Sequence, residues 1–276
     1  MEKLQAAIAR ARAQREDADP ALRIGAARTP AHTPNRAAGP LPVWEALTPL
    51  TLDPRHLARN RIVTIGSNAE TTTFDMLRTK ILQQMAAKGW TRLAITSPGP
   101  GCGKTTTAIN LAGSLARQAD TRAVLMEMDM RRPSLARLLG QSPPASVFDL
   151  LEDRIGFSEQ AHRLGNTVAL SMNATPFRHP SELFLQTRTS AKLDQIQAET
   201  GSDLMLFDMP PMLVSDDTTA FLPQVDCVLI LAAAETTTLS QIDQCEREVA
   251  SQTNVLGVVL NKMRLKDESY GQYGKY

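Results

Sequence analysis

The residues with the clearest chemical role lie in a glycine-rich turn at positions 97–106, which reads SPGPGCGKTT. An apolar run precedes this turn and a helical pattern follows it, and a phosphate-binding loop requires that context. Glycines let the backbone curl so that N–H groups point at phosphate oxygens, while Lys104 can reach the β- and γ-phosphates and the Thr105 hydroxyl can bind Mg²⁺. The sequence therefore predicts a nucleotide site made by Gly99, Pro100, Gly101, Cys102, Gly103, Lys104, Thr105 and Thr106.

The turn departs from the usual pattern G-x-x-x-x-G-K-[ST] at one position, because Pro98 stands where the first glycine is expected. The alternative is an ordinary glycine-rich turn that contains a lysine. The strand and helix patterns on either side and the intact G-K-T core favour the phosphate-binding loop over that alternative.

Carboxylates follow two other apolar runs of the kind that form buried strands. Glu127 and Asp129 end the first run, and Asp208 ends the second, directly before a methionine and two prolines. Each acid could instead cap a helix or lie at a solvated strand end. Since a phosphate-binding loop needs acids to hold and orient Mg²⁺, the sequence predicts that both motifs, Glu127 with Asp129 and Asp208, lie at a metal-nucleotide site beside the loop.

The tyrosines are confined to the end of the chain. The sequence contains three, Tyr270, Tyr273 and Tyr276, all within the last seven residues and interleaved with Gly, Gln and Lys. Such a segment cannot bury itself, and we expect it to move freely and to present phosphate-accepting hydroxyls. The alternative is a chain end in which the aromatic residues have no role.

Composition excludes several functional classes. The net charge is +1 and 21% of residues are charged, so no nucleic-acid partner is predicted. The three cysteines have no metal-binding spacing, and the first residues lack the apolar core of a signal peptide. The longest apolar run, residues 227–234, is too short to cross a bilayer. We expect a soluble cytoplasmic protein that reaches a membrane only through a partner.

Short apolar strands alternate with helices, which predicts an α/β protein with a doubly wound, mostly parallel sheet of the P-loop NTPase type. We expect three segments: a Pro/Ala/Arg-rich extension or linker at 1–56, a nucleotide-binding domain at 57–262 and a flexible tail at 263–276. Within the extension, Trp44, Leu47 and Leu50 could dock on the domain or on another protein, or be incidental.

The individual elements follow from hydrophobic periodicity. Apolar residues from Phe74 to Met85 predict a helix that ends at Gly89. We further expect an extended piece at 61–64, strands at 93–95, 122–128, 168–172, 204–208, 228–232 and 255–261, and helices beginning near 108 and spanning 134–139, 180–200 and 240–251.

The ordered set SPGPGCGKTT, MDMRRP and LMLFDMPP resembles the bacterial tyrosine kinases (BY-kinases) of capsule and exopolysaccharide biosynthesis. Further matches are LRT at 77–79, HPSEL at 179–183, SD at 215–216 and GVVLNK at 257–262. The resemblance implies ATP and Mg²⁺ as cofactors, Lys104 on the phosphates, Thr105, Asp129 and Asp208 on the ion and Asn261 near the adenine. It also implies phosphorylation of the tyrosine-rich tail by the kinase itself.

Two positions differ from that family. Glu127 replaces the first aspartate of D-x-D-x-R, where family members have their candidate base for the tyrosine hydroxyl. The motif for ring assembly, E-x-x-R-x-x-R, reads Thr72-x-x-Asp75-x-x-Arg78 and keeps only its last residue. A homo-oligomer is therefore left open.

The resemblance implies further partners: the cytoplasmic segment of a chain-length-determinant membrane protein, which would hold the chain at the inner membrane, and a counteracting tyrosine phosphatase. The leading interpretation is a tyrosine autokinase that regulates polysaccharide polymerisation or export. One alternative is a nucleotide switch of the partitioning or division-site type, but Gly99 occupies the position of the lysine which those ATPases use. Another is an attenuated kinase that binds ATP and acts as a partner protein.

Overall fold

A computed structural model describes residues 41–65 and 71–263 of the chain. The first 40 residues of the predicted extension, and the tail tyrosines Tyr270, Tyr273 and Tyr276, lie outside the described residues. The described part forms one eight-stranded sheet in the order β1-β4-β5-β3-β6-β2-β7-β8. Its strands are β1 Thr48–Pro49, β2 Arg92–Thr96, β3 Ala123–Glu127, β4 His162–Leu164, β5 Val168–Ser171, β6 Leu204–Asp208, β7 Cys227–Ala233 and β8 Asn254–Asn261.

Helices cover the sheet on both faces. They are α1 Pro42–Ala46, α2 Pro54–Arg59, α3 Thr72–Lys88, α4 Lys104–Leu115, α5 Leu135–Leu139, α6 Val147–Leu151, α7 Phe157–Gln160, α8 Pro180–Phe184, α9 Thr187–Thr200, α10 Asp217–Phe221 and α11 Leu239–Ala250. A 3-10 turn, Leu222–Gln224, follows α10. Within residues 41–65 and 71–263, no helix combines the length and the apolar character needed to span a bilayer.

The central strands are buried on both sides, and alternate residues enter two separate cores. On β6, Met205 and Phe207 pack in one core, whereas Leu204 and Leu206 pack in the other. This alternation follows from the two-residue period of a strand, and burial on both faces is typical of a parallel sheet covered by helices. The predicted fold class is confirmed, with a single antiparallel pairing between β4 and β5 in the described sheet.

Residues 41–56, assigned from composition to the extension, pack on the domain. Trp44 and Leu47 are buried in the main core, and the Trp44 indole N–H donates to the Thr200 carbonyl at 2.8 Å. β1 pairs with β4 at the edge of the sheet. The described folded unit therefore begins before the predicted boundary at Leu57, because apolar side chains among the prolines bury enough surface to hold the segment.

Two predicted elements differ in detail. Residues 61–64, predicted as an extended piece, have no strand partner in the described sheet. The Asn110 side chain binds their backbone instead: it accepts from Val63 N and Thr64 N and donates to the Arg61 carbonyl. The helix predicted at 180–200 is two helices, α8 and α9, with extended backbone at Gln186. The predicted helix ending at Gly89 is α3, whose C-cap glycine has a φ of 66°.

Candidate functional site

The predicted phosphate loop joins β2 to α4 at the carboxyl end of the sheet, where ligands bind in this kind of fold. Gly101 and Gly103 have φ values of 75° and 90°, which side chains other than glycine rarely adopt. A Cβ on Gly103 would also lie 2.5 Å from Asn261 Nδ2. Lys104 starts α4 and is only 7% exposed, so its ammonium is held within the site.

The segment after β6 fixes the start of this loop. Met212 N donates to the Ser97 carbonyl at 2.8 Å, and Leu213 N donates to the Pro98 carbonyl at 3.2 Å. The Ser97 hydroxyl donates to the Gly99 carbonyl at 2.7 Å. The carbonyl of Pro98, the one residue that departs from the loop pattern, therefore accepts a hydrogen bond from the segment after β6. Proline at this position keeps the carbonyl acceptor and lacks only the N–H.

Asp208 is the last residue of β6. It is fully buried, and neither carboxylate oxygen has a hydrogen-bonding partner among the described residues. Burial raises the pKa of Asp208 to about 7, with the carboxylate of Glu127 adding to the rise and the Thr105 hydroxyl and Lys104 ammonium opposing it. A buried carboxylate without a partner, next to a hydroxyl, fits a hard cation such as Mg²⁺, which takes oxygen ligands.

Glu127 lies opposite Asp208 in the register of β3 and β6, but its environment is different. One carboxylate oxygen accepts from Ser134 N at 2.5 Å and Leu135 N at 2.7 Å, and the other from Asn173 N at 3.0 Å and Asn173 Nδ2 at 3.2 Å. Burial raises the pKa of Glu127, and these N–H donors act against that rise. The structure thus holds Glu127 as a bonded carboxylate at the start of α5.

Asp129 lies half-buried just beyond the end of β3. Its N–H donates to the Asp208 carbonyl at 3.0 Å, and its Oδ1 accepts from Arg132 N at 3.2 Å. Burial raises the pKa of Asp129, while the positive charge of Lys104 lowers it. The fold therefore gathers the predicted residues Lys104, Thr105, Glu127, Asp129 and Asp208 at one end of the sheet.

Two supporting side chains lie outside the predicted set of site residues. Arg131 forms a two-point ion pair with buried Asp217, at 2.6 and 2.9 Å, and donates to the Arg178 carbonyl at 2.6 Å. Asn173, which clamps Glu127, follows β5 and is 3% exposed. Their partners lie 86 and 46 residues away in the sequence, so local patterns contain no signal for either pairing.

Asn261, the last residue of β8, contacts the phosphate loop. Its Nδ2 donates to the Cys102 carbonyl at 2.8 Å, and its Oδ1 accepts from Lys262 N at 2.9 Å. The Asn261 side chain, which the resemblance placed near the adenine, therefore supports the phosphate loop through a hydrogen bond. Cys102 Sγ lies 3.6 Å from the Thr237 hydroxyl, so the loop is also in contact with the segment before α11.

Arg78, the residue kept from the ring-assembly motif, is bound within the chain. It is largely buried, and its guanidinium donates to the Ser114 carbonyl at 2.9 Å and to Asp75 at 3.3 Å. Asp75 also pairs with Arg117. The altered motif therefore forms an internal network between α3 and α4.

Comparison with known proteins identifies the family to which this fold belongs. The family described as the CobQ/CobB/MinD/ParA nucleotide binding domain matches residues 93–272, more than half of the chain. The putative tyrosine-protein kinase EpsB of Ralstonia nicotianae is 32% identical over 206 residues, which are 72% of this chain and 27% of EpsB. The chain thus spans about a quarter of the length of that relative.

A shorter relative and a solved structure extend the comparison. The tyrosine-protein kinase YwqD of Bacillus subtilis is 26% identical over 224 residues, 80% of this chain and 89% of YwqD. The kinase domain of the Escherichia coli tyrosine kinase ETK has the same fold, with a TM-score of 0.64, 24% identity and coverage of 74% of this chain and 81% of that domain. The chain belongs to the CobQ/CobB/MinD/ParA family of nucleotide-binding domains, and its resemblance to the bacterial tyrosine kinases is confirmed.

Proposed function

We propose that this chain is an ATP- and Mg²⁺-dependent protein-tyrosine autokinase that phosphorylates Tyr270, Tyr273 and Tyr276 and thereby regulates the polymerisation or export of a surface polysaccharide. The observation that carries the proposal is the hydrogen bond from Asn261 to the Cys102 carbonyl. This bond joins the last residue of β8 to the loop at 97–106, so the tail that carries every tyrosine of the chain begins beside this loop.

The described residues can perform the binding steps of this reaction. Backbone N–H groups of Gly99 and residues 101–105, together with the nearly buried Lys104, would bind the triphosphate, and Thr105, Asp129 and Asp208 would hold Mg²⁺. Mg²⁺, when bound, neutralises charge that develops on the phosphates. In the proposed transfer the tyrosine oxygen would bond to the γ-phosphorus while the bond to the bridging oxygen breaks, ADP would leave, and the phenolic proton would pass to solvent.

Tail length supports transfer to the chain's own tyrosines. Residues 263–276 number fourteen and span roughly 45–50 Å when extended. This length reaches the chain's own phosphate loop or that of a neighbouring copy. Each phosphotyrosine adds about −1.5 to −2 charges near Lys262, Arg264, Lys266 and Lys275, which would change the local electrostatics.

The relatives' names support the biological setting of the proposal. EpsB, YwqD and the CpsD protein of Streptococcus pneumoniae are each named tyrosine-protein kinases. By its resemblance to BY-kinases, the chain would act at the inner membrane through the cytoplasmic segment of a chain-length-determinant protein, with a tyrosine phosphatase reversing its phosphorylation. Self-association is part of the same proposal.

The direct test mixes the purified full chain with Mg-ATP, with and without that cytoplasmic segment, and locates phosphate by mass spectrometry. We expect label on the three tail tyrosines and none on the matched variant Y270F/Y273F/Y276F. Lys104→Ala should abolish the label. Absence of tail label in every condition would contradict the proposed function.

An attenuated kinase is the second candidate, and the bonding of Glu127 favours it. The residue at the family's candidate base position already accepts four N–H donors. Such a protein would bind Mg-ATP tightly and label its tail only slowly. The rate of tail labelling under saturating Mg-ATP separates the two candidates.

A further inference from the structure

The geometry points to Glu127 as a positioning residue, which together with Asn173 holds the Ser134 hydroxyl against Thr105 and so orients the hydroxyl that would bind Mg²⁺. This inference rests on the Mg-nucleotide site of the proposed function. It assigns Glu127 a task other than accepting the tyrosine proton, and it gives Asn173 and Ser134 roles that their sequence positions do not suggest.

The first step is the acceptor capacity of Glu127. An ionised carboxylate offers about four lone-pair sites, and all four are used here: Ser134 N and Leu135 N on one oxygen, Asn173 N and Nδ2 on the other. The side chain is fully buried. No site is left to accept a proton from an incoming tyrosine without breaking one of these bonds.

The second step is the clamp formed by Asn173. Its Nδ2 also donates to the Glu127 carbonyl at 2.9 Å, so both the main chain and the side chain of Glu127 are held. Its Oδ1 accepts from Val147 N, the first residue of α6, at 3.0 Å. Asn173 thus ties the ends of β3 and β5 to α6 and fixes the direction of the Glu127 side chain.

The third step is the contact between Ser134 and Thr105. The Ser134 hydroxyl lies 3.1 Å from Thr105 Oγ1 and donates to it, and Ser134 N is held by Glu127. The Asp208 carboxylate is also close to the Thr105 hydroxyl. A hydroxyl has one hydrogen and two lone pairs. With one lone pair accepting from Ser134 and its hydrogen available to Asp208, Thr105 keeps one lone pair for a cation.

The length of the Glu127 side chain fits this task. Its carboxylate spans the gap between the start of α5 and Asn173, and an aspartate is shorter by one methylene. In Glu127→Gln, the amide group would face two N–H donors in either orientation, since each oxygen accepts two. Glu127→Asp and Glu127→Gln should therefore both disturb the position of Ser134 and, through it, that of the Thr105 hydroxyl.

The test measures binding rather than activity. A fluorescent ATP analogue is titrated onto the full chain in EDTA and at increasing Mg²⁺. For Ser134→Ala we expect a rise of about 3- to 10-fold in the Mg²⁺ concentration that gives half-maximal enhancement of analogue binding, since one hydrogen bond is lost. Affinity in EDTA and the melting temperature should stay near wild type. Ser134→Thr, which retains the hydroxyl, should restore the Mg²⁺ dependence.

Two matched control variants change exposed polar residues away from the site: Ser251, which follows α11, and Asn254, the first residue of β8. Ser251→Ala removes an exposed hydroxyl that donates to the Glu248 carbonyl, and Asn254→Ala removes an exposed amide that donates to the Asp226 carbonyl. Neither should change the Mg²⁺ dependence, whereas Asn173→Ala should raise the half-maximal concentration at least as much as Ser134→Ala.

Two results would overturn the inference. One is wild-type Mg²⁺ dependence in both Ser134→Ala and Asn173→Ala. The other is a Glu127→Gln protein that binds the Mg-nucleotide normally but no longer labels its tail, which would make Glu127 the base. If Glu127→Gln does not fold, the Mg²⁺ dependence of Ser134→Ala and Asn173→Ala still tests the inference. If the wild type labels no tyrosine while the Mg²⁺ shifts occur, the proposed function fails and this inference stands.

Discussion

Glu127 and Asp208 face each other across β3 and β6, yet only Glu127 has its carboxylate oxygens bonded. Two acids in equivalent places at the end of one sheet thus have opposite environments. The Glu127 carboxylate, with its four N–H donors, links the end of β3 to the start of α5 and to Asn173. The carboxylate without partners costs free energy in the absence of a cation, and such cost at a buried group is typical of a functional site.

Asp208→Asn should separate stability from binding. Because the pKa of Asp208 is raised to about 7 in the folded chain, the folded state binds more protons than the unfolded state between pH 4 and 7. Stability of the nucleotide-free protein should therefore fall as pH rises through this window, by an order of a few kcal/mol. The asparagine side chain of the variant would carry no charge to bury.

The measurement is urea unfolding at pH 4.5 and pH 8 in EDTA. We expect Asp208→Asn to match the wild type at pH 4.5, to be more stable at pH 8, and to lose Mg²⁺-dependent nucleotide binding. Equal stability of the two proteins at pH 8 would show that burial of this carboxylate carries no cost.

The sequence identified the parts of the site that are contiguous in the chain. The phosphate loop and the strands ending at Glu127 and Asp208 are each encoded by about ten neighbouring residues, so periodicity and motif were sufficient. The clamp between Asn173 and Glu127 joins residues 46 apart, and the pair of Arg131 and Asp217 joins residues 86 apart. Such pairings are determined by the order of strands in the sheet, which local patterns do not contain.

Gly103→Ala should reduce nucleotide binding for two separable reasons. The new Cβ would meet Asn261 Nδ2, and the φ of 90° is unfavourable for alanine by about 1–2 kcal/mol. In an Asn261→Ala background the clash is absent, so Gly103→Ala should reduce affinity less there than it does in the wild type. Asn261→Ala by itself should cost about 3- to 10-fold in affinity through the lost bond to Cys102. Equal affinities of G103A/N261A and Asn261→Ala would contradict the backbone contribution.

Arg131→Ala should destabilise the fold because it leaves the buried Asp217 carboxylate without its two-point partner. Since the Arg131 side chain is 40% exposed, we expect a loss of about 1–2 kcal/mol in the free energy of unfolding, below the usual cost of breaking a fully buried pair. Arg131→Lys should recover only part of it, because lysine cannot make two parallel bonds. In a double-mutant cycle with Asp217→Asn, a coupling energy near zero would contradict the pairing.

Trp44→Ala tests whether residues 41–56 belong to the folded unit. Trp44 is 4% exposed, and we expect its removal to lower the free energy of unfolding by about 3–5 kcal/mol. Trp44→Phe keeps most of the ring but loses the N–H that donates to the Thr200 carbonyl, so its loss should be smaller. Urea unfolding followed by far-UV circular dichroism measures both. If this segment were a linker, Trp44→Ala would unfold like the wild type, because the indole would bury no surface.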